Sequence, residues 1–130
     1  MLVGERSNAT GSKAFRELLL AEDYEGTLSV AQQQSRVGAH VLDVSVGFAG
    51  RDETKDMNRV MALYAQKIAL PLMPDSTQTP ALEEALKQIG GKPIINSVNL
   101  EDGIEKFDKV CALAKKFGAA LVCLTIDEIG

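Results

Sequence analysis

Histidine and cysteine are scarce in this chain of 130 residues, which contains one His and two Cys. The single His, His40, offers no Ser-His-Asp or Cys-His arrangement for nucleophilic catalysis. One His and two separated Cys do not support a zinc site either, so we expect no metal in this chain. Cys111 and Cys123 lie within apolar patterns and form no CxxC pair. We therefore expect both thiols to be free and buried, as suits a reducing cytoplasm.

Positive charge and long apolar runs are also lacking. The formal net charge is −4 and the pI is about 5.0, which argues against nucleic acid or an anionic membrane as a partner. No apolar run approaches the roughly 20 residues that span a bilayer. No basic segment followed by an apolar one opens the chain, so we expect no signal peptide. With 45% apolar and 25% charged residues, the composition suits one globular domain in the cytoplasm.

Short apolar runs alternate with longer amphipathic stretches along the chain. The runs at residues 1–3, 40–46, 70–75, 93–98 and 120–126 are rich in Val, Ile and Leu, which is typical of strands buried on both faces. Between them, apolar residues recur at helical spacing, as at Ile104, Phe107, Val110 and Ala114. This alternation predicts an α/β fold with a parallel sheet and helical crossovers. The periodicity fits either an open doubly wound sheet or part of a barrel.

Polar side chains follow or end every predicted strand. They are Glu5, Asn8, Asp43, Ser45, Asp75, Ser76, Asn96, Ser97, Asp127 and Glu128. Ligands of parallel α/β folds bind at the carboxyl ends of the strands. These side chains therefore predict a ring of hydrogen-bond acceptors and amides with few cations. Such a ring matches a flat heterocycle rich in N–H groups, such as the amino-pyrimidinone edge of a pterin or a guanine.

Several of these residues also have structural interpretations. Asp75 or Ser76 fits the N-cap of the following helix equally well, and Asn96 fits a turn. Asp43 lies inside an apolar strand, where an unpaired charge is costly. It must therefore be paired, bound to a ligand or placed at the very end of the strand. His40, at a strand start, favours a structural role.

The opening stretch VGERSNATGSK, at residues 3–13, suggests a strand, a polar loop and a helix start. A P-loop requires GxxxxGK[ST], whereas six residues separate Gly4 from Gly11 and Ser12 precedes Lys13. The GxGxxG of dinucleotide-binding folds is absent as well. The sequence therefore does not predict a phosphate site in this loop.

Five stretches together carry a resemblance to a known family. They are GERSNATGSKAFRELLLAEDYEGTLSVAQQQ, GAHVLDVSVG, PLMPDST, IINSVNLEDG and GAALVCLTIDEIG. In this order they resemble the pterin-binding domains of cobalamin-dependent methionine synthases, and the similarity runs over the whole chain. More distantly, the chain is similar to methyltetrahydrofolate:corrinoid methyltransferases and to dihydropteroate synthases.

The resemblance implies a (β/α)8 TIM barrel that binds 5-methyltetrahydrofolate at its C-terminal face. The methyl group on N5 would pass to cob(I)alamin carried by another module, and then to homocysteine. By motif, Asn8, Asp75 and Asn96 would contact the pterin, with Asp75 and Asn96 on the amino-pyrimidinone edge. Asp43 would support the pocket and Asp127 would lie at its rim. GERSNATG would be the first pterin-binding loop, and no catalytic residue is assigned.

Length and one proline depart from the family pattern. A TIM barrel needs about 250 residues, so we expect residues 1–130 to be a truncated pterin-binding domain with about five β/α units, inactive in isolation. The cobalamin-binding and homocysteine-binding modules and the second half of the barrel would be its partners. Pro74 removes a backbone donor just before Asp75, and the loss of that ladder bond affects how the Asp75 side chain is oriented. A non-catalytic doubly wound binding module and a dihydropteroate synthase-like enzyme remain the alternatives.

Overall fold

The chain folds as alternating parallel strands and helices in a computed structural model that describes residues 1–127 and 129. The α/β prediction is thereby confirmed. The strands are β1 (Val3–Asn8), β2 (Val41–Ser45), β3 (Leu72–Pro74), β4 (Ile94–Val98) and β5 (Ala120–Cys123). The helices are α1 (Lys13–Leu20), α2 (Tyr24–Arg36), α3 (Glu53–Lys67), α4 (Thr79–Gln88) and α5 (Ile104–Phe117). No helix in this described part is long and apolar enough to cross a membrane.

The strands lie side by side in sequence order. β1, β2 and β3 form one parallel ladder, and β4 and β5 form another. A bridge between Asp75 and Asn96 connects the two ladders. A doubly wound sheet reverses its strand order at a switch point, and the strands of residues 1–127 show no such reversal.

Pro74 explains why a single bridge, and not a full ladder of hydrogen bonds, joins β3 to β4. The N–H of Asp75 donates to Val44 O at 2.9 Å, so Asp75 uses its donor on the β2 side. Successive residues of a strand direct their backbone groups to opposite neighbours, and Pro74 therefore lacks the donor that would face β4. Ser76 N still donates to Asn96 O at 3.2 Å. Asp75 consequently stays tied to both neighbouring strands in spite of the proline.

The apolar core lies between the strands and one layer of helices. Leu42 and Val44 of β2 pack with a fully buried set on α1 and α3, which comprises Phe15, Leu19, Met57, Val60, Met61 and Tyr64. A second cluster joins Ile95 of β4 to residues of α4 and α5. Side chains alternate between the two faces of a strand. Asp43 and Asn96, each next to a core residue, therefore lie on the face opposite the helices.

The predicted strand at residues 1–3 is too short, because β1 continues to Asn8. Glu5 therefore belongs to a strand and not to a loop. The pairing of β1 with β2 is irregular between Gly4 and Ser7, where Arg6 N donates to Gln34 Oε1 at 2.9 Å. A side chain of α2 thus accepts the hydrogen bond of a backbone N–H that has no partner in the irregular ladder.

The prediction of buried thiols is wrong, although both cysteines are free. Cys123 is exposed and Cys111 is half-buried. Cys123 ends β5, which has β4 as its one neighbour among the described strands. The apolar pattern at 120–126 marked the start of the strand correctly but extended it three residues too far, because β5 ends at Cys123. An edge strand leaves its last side chains accessible.

Candidate functional site

Asp43, Asp75 and Asn96 lie side by side across three adjacent strands, Asp43 and Asn96 in the middle of β2 and β4 and Asp75 directly after β3. Asn96 Nδ2 donates to Asp43 Oδ2 at 3.1 Å, across 53 positions of the sequence. Asp75 follows β3 and bridges to Asn96 through the backbone. The structure therefore brings together three of the residues that the sequence predicts for a ligand site. We call this group the carboxyl–amide cluster.

Asp43 is the most buried member of the carboxyl–amide cluster, with 5% of its surface exposed. Its Oδ1 is buried and accepts no hydrogen bond from the described residues. Burial, followed by the negative charge of Asp75, raises the pKa of Asp43 to about 7, while the bond from Asn96 acts in the opposite direction. The surroundings of this aspartate therefore favour its neutral form.

Asp75 is half-buried, and its pKa is also raised. Burial is the largest cause, and the charges of Glu5 and Glu53 add to it, while the interaction with Asp43 lowers the pKa. Two carboxyl groups bond to each other only when one of them carries a proton. No described Lys or Arg forms an ion pair with Asp43 or Asp75. The cluster is therefore an acidic site without an internal counter-charge.

Ser76 holds the turn after β3 in place. Its Oγ donates to Glu53 Oε1 at 2.6 Å and accepts from Gln78 N at 2.9 Å. The N-cap of α4 is Gln78, without a side-chain cap bond. The capping interpretation of Asp75 and Ser76 is therefore wrong. Ser76 connects β3 to the first turn of α3, and Asp75 remains available to a ligand.

Asn8 and Asn99 shape turns. Asn8 Oδ1 accepts from Thr10 N at 2.9 Å and from Gly11 N at 2.7 Å, so the remaining group for a ligand is its Nδ2. Asn99 Oδ1 accepts from Glu101 N at 2.9 Å. His40 Nδ1 accepts from Leu2 N at 2.8 Å, which agrees with the structural role predicted for it.

Glu5 and Asp127 are both exposed, unlike the three members of the carboxyl–amide cluster. Glu5 is exposed on β1 and acts on Asp43 and Asp75 through its charge. Asp127 is exposed beyond β5, and its Oδ1 accepts from Ile129 N at 3.0 Å. Glu128 lies outside the described residues.

An open cleft of about 800 Å³ adjoins Asp75 at the ends of β2 and β3. Its lining includes Ser45, Phe48, Asp75 and Thr77. Phe48 is half-buried, and the Arg16 guanidinium lies 5.7 Å from its ring centroid. Sequence reasoning missed Phe48 and Glu53. The available signal was an aromatic residue two positions after the run VLDVSV in a chain with 5% aromatics.

The carboxyl–amide cluster offers hydrogen-bond acceptors to a ligand. The carboxylate of Asp75 can accept two parallel N–H bonds, and the carbonyl of Asn96 can accept another because its Nδ2 is turned to Asp43. Among the described residues, no group of three or more His, Cys, Asp or Glu side chains is arranged to hold a metal ion. A planar ligand with several N–H donors on one edge fits this arrangement.

Comparison with known proteins identifies relatives over the whole chain. The family described as "Pterin binding enzyme" matches residues 4–129. The chain is 48% identical over 133 aligned positions to the methionine synthase of Mycobacterium tuberculosis (strain ATCC 25618 / H37Rv). It is 47% identical over 133 positions to the methionine synthase of Mycobacterium leprae (strain TN). Each alignment covers 100% of this chain and 11% of the relative, so the chain spans about a ninth of the length of these two relatives.

Proposed function

The chain belongs to the pterin-binding enzyme family, and from that premise we propose that it binds the pterin ring of 5-methyltetrahydrofolate at the carboxyl ends of its strands. The observation that carries this proposal is the carboxyl–amide cluster, in which Asp43, Asp75 and Asn96 face the same site. Asp75 accepts from the ring N–H and the exocyclic amine of the pterin. Asn96 accepts a further N–H through its carbonyl.

We further propose that the five strands are the N-terminal part of a (β/α)8 barrel. Their parallel, sequential order supports this architecture, and so does a helix layer that covers one face of the strands. The opposite face, which carries Asp43 and Asn96, would line the barrel interior. Residues 1–130 then form part of a pterin-binding domain.

The wider activity that we propose is methyl transfer in methionine synthesis, as in a methionine synthase-like enzyme. A tertiary amine leaves readily only when its nitrogen is protonated or strongly hydrogen-bonded. Cobalamin on another module would supply the nucleophile for the methyl group, which would end on homocysteine. The residues of this chain hold and orient the pterin ring, which sets the position of N5.

Calorimetric titration tests the pterin site directly. We expect 5-methyltetrahydrofolate and a simple pterin without the aryl tail to bind, and p-aminobenzoylglutamate, which lacks the pterin, to bind weakly or not at all. Charge-assisted bonds contribute roughly 1.5–3 kcal/mol each when water is excluded. Asp75→Ala should therefore weaken pterin binding by about tenfold to a few hundredfold.

The matched control is Asp23→Asn. Asp23 is the N-cap of α2 and accepts from Gly26 N at 2.9 Å, and Asn is an equally good cap. This variant should bind pterin as the parent chain does. Unchanged pterin affinity in folded Asp75→Ala protein would contradict the proposed site, and equal binding of the tail alone would contradict the proposed ligand.

A further inference from the structure

Asp43 has two carboxylate oxygens in different environments. Oδ2 accepts from Asn96 Nδ2 at 3.1 Å, while Oδ1 is buried without a donor. A buried acceptor without a donor is costly, and the cost is removed when that oxygen carries a proton and donates. The neighbouring acceptor is Asp75, which lies on the same face of the sheet as Asp43 because it stands two residues after Met73, the register partner of Asp43. The two carboxyl groups also shift each other's pKa.

The charges around Asp43 all favour a proton on it. Glu5 of β1 and Asp75 after β3 are both acidic and both act on Asp43. Glu53 of α3 acts on Asp75 from the helix side. The one polar partner from β4 is the neutral Asn96. A ligand over the cluster excludes water, which makes two neighbouring carboxylates still less compatible.

We propose that Asp43 is a positioning residue that carries a proton when pterin is bound, donating to the Asp75 carboxylate while accepting from Asn96. The proton sits on Oδ1 and the Asn96 bond stays on Oδ2. Asp75 is thereby held as an anion with its acceptor positions directed to the ligand. Asn96 is held with its carbonyl free to accept. One neutral carboxyl group then orients both residues that bind the amino-pyrimidinone edge.

This inference rests on the proposed function, which supplies the ligand. It adds that binding of this ligand is coupled to protonation of Asp43. If the bound state needs the proton on Asp43, pterin binding takes up a proton at alkaline pH. Raising the pH removes that proton from the free protein and places a second negative charge beside Asp75. Pterin affinity therefore falls as the pH rises above the pKa of Asp43.

The first measurement needs no ligand. Chains with ¹³C-labelled aspartate report each carboxyl group by NMR, and the resonance that disappears in Asp43→Asn belongs to Asp43. We expect it to titrate near neutral pH, well above the ordinary aspartate value of about 3.9. Titration of this resonance near the ordinary value would overturn the inference, whether or not any pterin binds.

The second measurement is the pH dependence of pterin affinity. From about pH 6 to about pH 8.5, the parent chain should lose roughly fivefold or more in affinity for 5-methyltetrahydrofolate. Asp43→Asn imitates the protonated acid, because its amide can donate to Asp75 and accept from Asn96. It should bind within about threefold of the parent at the lower pH and stay level as the pH rises. Asp23→Asn should follow the parent profile.

Each remaining result has one meaning. Ionisation of the ligand affects all variants equally, so the difference between profiles reports on Asp43. A parent profile that is level, or an Asp43→Asn profile that falls with the parent, would overturn the inference. Weak binding by folded Asp43→Asn at every pH would also overturn it, because the negative charge would then be required. Absence of binding by every variant would refute the proposed function, while the carboxyl titration would still decide the protonation of Asp43.

Discussion

At Asp43, a group that ionises readily in water lies in a nearly dry place beside a second carboxyl group. Its pKa is about 7 in the folded chain, against an ordinary value of 3.8. Between these two values the folded chain binds a proton that the unfolded chain has released. The resulting stabilisation is fully present below the ordinary value and is lost as the pH rises through about 7. This carboxyl group therefore makes the folded chain less stable as the pH rises.

We predict that the stability of the parent relative to Asp43→Asn declines by at least about 1 kcal/mol between about pH 5 and about pH 8. The Asn side chain stays neutral throughout, so the comparison isolates the carboxyl group at residue 43. Urea unfolding at several pH values measures the difference. A constant difference across this range would argue against the raised pKa.

Tyr64 is the second residue whose environment makes a firm prediction. Its hydroxyl is fully buried, donates to Thr27 O at 2.8 Å and bonds Ser7 Oγ at 2.9 Å. Burial raises the pKa of Tyr64 to about 12, so the hydroxyl remains a donor at physiological pH. Through Ser7, this bond anchors the irregular strand β1 to α3.

Tyr64→Phe should therefore cost about 1–3 kcal/mol of unfolding free energy, because Thr27 O and Ser7 Oγ lose a partner in the interior. Ser7→Ala in the Tyr64→Phe background removes a hydroxyl that has already lost Tyr64 as a partner and retains only Gln34 Nε2 at 3.4 Å, so it should cost less than it does in the parent. A double-mutant cycle by urea unfolding measures the coupling. Strict additivity would show that the two hydroxyls do not support each other.

Among the elements, the connection from β2 to α3 is held by a buried ion pair. Arg51 donates to Asp56 through Nε at 3.0 Å and through Nη2 at 2.7 Å. Asp56 is fully buried and also accepts from Tyr24 OH at 2.9 Å. The segment at residues 46–52, which borders the cleft, is thus tied to α2 and α3 from its end.

Arg51→Met should destabilise the chain by roughly 3–5 kcal/mol, because it leaves the Asp56 carboxylate buried without its cation. Lys55→Met is the control, since Lys55 pairs with Glu22 at the exposed surface at 3.1 Å, and we expect little change from it. Thermal unfolding of both variants makes the comparison. An equal loss of stability in the two variants would mean that the burial of Asp56 does not strengthen the contribution of its ion pair.

The sequence predicted which strands and helices form better than it predicted the residues at which they begin and end. The run around Leu42 and Val44 marked β2 because both side chains are buried against helices. The continuation of β1 through Glu5 and Arg6 was missed, since charged residues in an irregular edge strand look like a loop. Its missing ladder bond is supplied by Gln34, 28 positions away from Arg6. A side-chain partner at that distance leaves no periodic signal.

For the site, the sequence identified the residue types and their strands but not their mutual geometry. Asp43 was expected to be paired, bound to a ligand or at the very end of its strand; it lies in the middle of β2, and its hydrogen-bond partner is Asn96. The direction of the Asn96 amide and the buried Oδ1 of Asp43 depend on how three strands are placed side by side. Glu53 was missed because it reaches the cluster from the first turn of α3 through Ser76.

For the molecule as a whole, the helices and the polar cluster lie on opposite sides of the strands. The helix layer buries the large apolar side chains, whereas the cluster faces the side that a barrel would enclose under the proposed function. β1 and β5 each have one strand neighbour within residues 1–127. The carboxyl–amide cluster in the 130-residue chain is therefore more open to water than it would be inside the proposed closed barrel, and hydrogen bonds from a ligand to it are correspondingly weaker.

We predict on this basis that the 130-residue chain transfers no methyl group by itself. The carboxyl–amide cluster provides acceptors for a ring edge, and the proton inferred on Asp43 is directed to Asp75 rather than to the N5 atom of a folate. Methyl transfer from a tertiary amine also requires a proton or a strong hydrogen bond at that nitrogen and exclusion of water. Demethylation of 5-methyltetrahydrofolate with free cob(I)alamin should equal the no-protein rate, while a full-length methionine synthase serves as the active control. A rate above the no-protein control that Asp75→Ala abolishes would contradict this prediction and would show that the open site already activates N5.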